Sequence, residues 1–74
     1  MTPEELAKAL QLTMKIREDS FHENHGRYRK SYLSAAHEAC EQLGIKEEFA
    51  YPIYLLLDNA GGAIDDWARD TLAG

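Results

Sequence analysis

The chain has 74 residues, 45% hydrophobic and 28% charged, with 13 acidic against 8 basic side chains and a net charge of −5. That length specifies one domain, residues 1–74, and excludes a large core, because a chain this short buries only about 60% of the surface it exposes when unfolded. The negative balance weighs against bulk nucleic acid and anionic membranes as partners, and the single cysteine, Cys40, excludes an internal disulfide and points to a reducing compartment, the cytoplasm.

The first residues, Met1-Thr2-Pro3-Glu4-Glu5, are acidic where a secretory leader is basic, and no apolar run approaches membrane-spanning length. They read instead as a helix start. Thr2 suits the N-cap, Pro3 the first helical position, and Glu5 the third, from which its carboxylate reaches back to complete a capping box. Leu6, Ala9, Leu10, Thr13 and Ile16 follow at three- and four-residue steps, with Met14 beside them and Phe21 extending the stripe, until Asn24, His25 and Gly26 interrupt it.

A second helix is expected from Arg27 to Leu43, burying Tyr32, Leu33, Ala36, Cys40 and Leu43. Gly44 supplies a left-handed residue just past its end, and Ile45 makes the apolar contact of a Schellman ending. One turn over Lys46 to Ala50 comes next. Pro52 disfavours helix at Tyr51, so a third helix is placed from Pro52 to Asn59, and Gly61-Gly62 separates it from a last one over Ala63 to Leu72, with Asp65 and Asp66 in its first turn and Ile64, Trp67, Ala68 and Leu72 facing inward. The fold expected is all-α, a small bundle of three to four short helices in which helices 1 and 2 form an antiparallel hairpin.

One constellation has the spacing of a metal site. His22 and His25 are followed, after eleven residues, by His37 and Cys40, and three imidazoles with one thiolate would suit tetrahedral zinc. The helical pattern opposes it. His25 sits at the hairpin connection while His37 lies about ten residues, or roughly 15 Å, along helix 2. The expectation is therefore no metal and no cofactor, with Cys40 in the core, His37 at its border and His22 and His25 in solvent.

Arg27, Tyr28, Arg29 and Lys30 interleave bases with an aromatic ring, the composition of a phosphate-tracking, base-stacking surface. An internal account competes with it. Bases at the start of helix 2 oppose that helix's dipole, as Glu18, Asp19 and Glu23 do at the end of helix 1, and across a tight hairpin the two sets face each other.

Ile53-Tyr54-Leu55-Leu56-Leu57 is apolar on every side of a helix. Such a segment must be covered all round, and a chain of this size has few elements to cover it. The run, together with Trp67, is expected to form a protein interface, with burial in a central helix as the competing account. No phosphate loop, nucleophile elbow or calcium-loop spacing occurs, so no enzymatic activity is expected. The function expected is a non-catalytic protein-binding module or regulatory protein that self-associates, as a homodimer, through the third and fourth helices, with a heterologous protein as the other partner for the same surface. Two alternatives are a nucleic-acid module using residues 27–30, and an acidic inhibitor presenting Glu47, Glu48, Asp58, Asp65, Asp66 and Asp70 to a basic target.

Overall fold

The computed structural model describes residues 1–23 and 30–74, and within them the chain is all-α: α1 (Pro3–Glu23), α2 (Tyr32–Leu43), a single 3-10 turn (Glu47–Phe49) and α3 (Ala50–Ala73). No strand occurs among the described residues. Helices α1 and α2 form the antiparallel hairpin, with Lys15, Ile16 and Asp19 of α1 beside Lys30, Glu38 and Gln42 on the α2 side, and α3 packs across both.

The start of α1 is the expected capping box. The Glu5 N–H donates to Thr2 Oγ1 (3.1 Å) and the Thr2 N–H donates to Glu5 Oε1 (3.2 Å), so two amides that a bare helix end leaves unpaired are satisfied. The end of α2 is equally local in origin. Gly44 adopts φ 68°, ψ 24°, its N–H donates to the Glu41 carbonyl (3.3 Å), and the Ile45 N–H donates to the Cys40 carbonyl (2.9 Å). These are the two bonds of the Schellman motif, and Ile45 packs against the core as that motif requires.

Two boundaries differ from the sequence expectation. Helix α2 begins at Tyr32 rather than Arg27, because Ser31 takes the N-cap: its backbone is extended (φ −72°, ψ 166°) and its Oγ accepts the Ser34 N–H at 3.1 Å. The helix expected from Pro52 begins at Ala50, and α3 consists of two helical segments joined across a kink at Ala60 (φ −146°, ψ 36°), between the helices expected over Pro52–Asn59 and Ala63–Leu72. Pro52 is tolerated because it lies in the first turn, where no intrahelical donor is needed. At the bend the Asn59 side-chain amide donates to the Leu55 carbonyl (2.9 Å), a side chain entering the backbone ladder next to two glycines.

The core is built from small residues. Ala7, Ala9, Ala35, Ala36, Ala39, Ala50 and Ala68 are buried, with Leu10, Ile53, Thr13 and Cys40 the largest side chains fully enclosed. Alanine brings helix backbones close and loses no side-chain entropy on burial. Thr13, polar and buried, is satisfied by donating its hydroxyl to the Ala9 carbonyl (2.6 Å). Tyr32 and Leu33 are half-buried and Leu43 is exposed, so the buried stripe of α2 is Ala35, Ala36, Ala39 and Cys40 rather than one ending at Leu43.

Candidate interaction surface

Helix α3 divides its apolar residues between two faces. Ile53 is 0% and Leu57 4% exposed, buried with Leu10, Ala36, Cys40 and Ala68, while Tyr54 and Leu56 are half-buried against the same cluster. Leu55 is 37% exposed, Tyr51 56% and Trp67 39%. Of the run read as an interface, then, Ile53 and Leu57 belong to the chain's own core, and Leu55 is the member that reaches solvent. Trp67 keeps 39% of its surface in solvent, although the sequence pattern directed it inward. Neighbouring Ala68 takes the buried position.

Tyr51 was not foreseen as part of this surface. It stands one turn before Leu55, and its ring lies 5.8 Å from that of Tyr54. The four-residue spacing from Tyr51 to Leu55 was visible in the sequence, but beginning the helix at Pro52 hid it. Carboxylates surround these apolar residues. Asp58, Asp66 and Asp70 are exposed on α3, whose one base, Arg69, is engaged by Asp65 (3.0 Å). Glu47 and Glu48 precede the helix.

The other marked residues are dispersed. His22, on α1, lies 3.7 Å from Glu18 and edge-on to Phe21; His37 Nδ1 lies 3.0 Å from Glu47 Oε1, tying α2 to the 3-10 turn; Cys40 is buried beneath. His25 falls outside the described residues. Among those described, no three His, Cys, Asp or Glu side chains come together as a metal site. Burial pushes the Cys40 thiol above its ordinary range, and the negative charge of Glu47 adds to the shift, so the sulfur is held as the protonated, unreactive form.

Of the basic segment, Arg27, Tyr28 and Arg29 fall outside the described residues. Lys30 pairs with Glu38 of α2 rather than with the acids of helix 1. Asp19 is held by Lys15 (2.9 Å) within α1, and Glu18 faces His22. Four-residue spacing gave these acids partners on their own helix, so the hairpin does not depend on charge pairing with Lys30. Arg17 of α1 reaches the start of α2, its guanidinium carbon 4.1 Å from the centroid of the Tyr32 ring, a cation–π contact worth about 0.5–1 kcal/mol.

A shallow groove between α1 and the second half of α3 has Leu12, Met14 and Leu72 as its apolar lining and Lys8, Lys15 and Arg69 among its rim residues. No described helix is long and apolar enough to cross a membrane. No protein family, curated protein or solved structure matches the chain.

Proposed function

We propose that this chain is a small non-catalytic protein-binding module, a regulatory or accessory protein of the cytoplasm, and that it binds through the outer face of α3. The observation that carries the reading is the exposure of Tyr51, Leu55 and Trp67 on one helix. Tyr and Trp are the side chains most enriched among residues that dominate binding energy, because they supply large contact area for little lost flexibility.

The accessible surface of the chain supports a partner that docks on a finished fold. At 4885 Å² it is close to the roughly 4,600 Å² expected of a self-contained chain of its mass. A chain that shared its core with a partner would show much more.

Affinity capture from the native cell tests the proposal, with the natural chain and a Leu55→Gln, Trp67→Gln variant as parallel baits. Glutamine is nearly as good a helix former as leucine, so the variant keeps the fold. The proposal expects proteins retained by the natural chain to be lost from the variant. Equal retention by both would refute it.

A further inference from the structure

We infer that the outer face of α3 receives a basic amphipathic segment of another protein, in which apolar side chains are interspersed with lysine or arginine. The inference rests on the reading of α3 as the binding surface and adds the chemistry of what it binds.

Helical spacing sets the geometry. Ala63, Asp66, Trp67 and Asp70 are all exposed and stand three or four residues apart, so they form one patch in which Trp67 is flanked by two carboxylates. The first half of α3 repeats the arrangement, with Leu55 one turn after Tyr51 and Asp58 three residues further on. Among the described residues, none of the ion pairs involves Asp58, Asp66 or Asp70, and Arg69 is already engaged by Asp65. A partner that covers Trp67 therefore also strips water from Asp66 and Asp70, and one that covers Leu55 does the same to Asp58. If purely apolar, it would leave them charged, dehydrated and unpaired, a costly arrangement. Cations placed among its apolar groups would turn the same carboxylates into charge-assisted hydrogen bonds.

A second copy of the chain fits this face poorly. Two α3 faces brought together by a two-fold axis would set acids against acids, with Arg69 as the one base on each helix.

Trp67 is the single tryptophan, so its fluorescence reports the patch directly. The probes are two tryptophan-free synthetic helical peptides with the same leucine positions, one carrying lysine and the other glutamate at the polar positions. The lysine peptide should give a saturable blue shift, the glutamate peptide none, and the affinity should fall about tenfold or more from low salt to about 0.5 M. Asp66→Asn with Asp70→Asn should weaken binding at least tenfold. Glu4→Gln with Glu41→Gln removes the same charge elsewhere and should leave affinity within about twofold, circular dichroism confirming that both variants are folded.

Four results would overturn the inference. Equal binding of both peptides would keep α3 as a docking face but deny the charge preference. Equal weakening by the two variant pairs would reduce the effect to net charge, and no shift with either peptide would remove the ligand class. A blue shift that grows with protein concentration alone would assign the face to a second copy. The capture comparison under Proposed function does not depend on the peptides and decides that reading separately.

Discussion

On the inner face of α3, Ile53, Leu57 and Ala68 are enclosed with Leu10 of α1 and Cys40 of α2; on the outer face, side chains as apolar as these, Tyr51, Leu55 and Trp67, meet solvent beside Asp58, Asp66 and Asp70. The difference lies in the surroundings rather than in residue type. The helices α1 and α2 pack against α3, enclosing the first set, while Tyr51, Leu55 and Trp67 keep 37–56% of their surface in solvent. The inner face therefore contributes to the free energy of folding, and the outer face is left to contribute to binding.

Substitutions on the two faces should separate these contributions. The largest effect belongs to Ile53→Ala, which empties a fully buried position and should lower unfolding stability by about 2–5 kcal/mol in a urea titration. For a domain this small that is a large share of a total expected near the low end of about 5–15 kcal/mol. Gly44→Ala touches neither face and supplies a scale. A side chain at φ 68° costs about 1–2 kcal/mol, measured as a lower urea midpoint with unchanged slope. Thr2→Ala, which removes the α1 cap, should cost about 1 kcal/mol.

Leu55→Gln and Trp67→Gln, at positions that keep 37% and 39% of their surface in solvent, should each cost less than Ile53→Ala despite removing a large apolar group. A loss matching that of Ile53→Ala would erase the distinction between the faces. The smallest effect concerns pH. Cys40 shares the core with Ile53, and its thiol titrates above the ordinary value of 9.0 in the folded chain. Above that ordinary value the unfolded chain has lost the proton that the folded chain keeps, so stability declines as pH rises further. Urea midpoints measured from pH 8 upward should show a decline that Cys40→Ala reduces.

What could be read from the sequence was whatever three or four neighbouring residues decide among themselves. Thr2 with Glu5 and Gly44 with Ile45 satisfy their own backbone groups, and both ends stand where the pattern put them. Ser31 is just as local, yet placing the helix start at Arg27 hid it, and the residue three beyond it is Ser34 rather than the glutamate that completes a capping box. Gly61-Gly62 looked like a gap between helices. The backbone does break beside it, at Ala60 (φ −146°, ψ 36°), but the two helical segments follow each other without an intervening loop, which propensity alone does not reveal.

The candidate surface was harder still. A run that is apolar on every side does not record which side its neighbours will cover, and Trp67 and Ala68, adjacent in sequence, exchange the inner position on a rotation of one residue. The acids beside the outer apolar residues were visible as composition. Their grouping around Trp67 required knowing that it faces out.

Collisional quenching of Trp67 by acrylamide, in the folded chain from micromolar to millimolar protein and again in urea, tests the division of α3 most directly. The structure predicts that the folded chain is quenched to a substantial fraction of the unfolded value and equally at every protein concentration, as suits a tryptophan open to solvent on an isolated fold. Strong protection at all concentrations would place Trp67 in the core, and protection that appears as the protein is concentrated would show a second copy covering it; either result contradicts an outer face left open for a different partner.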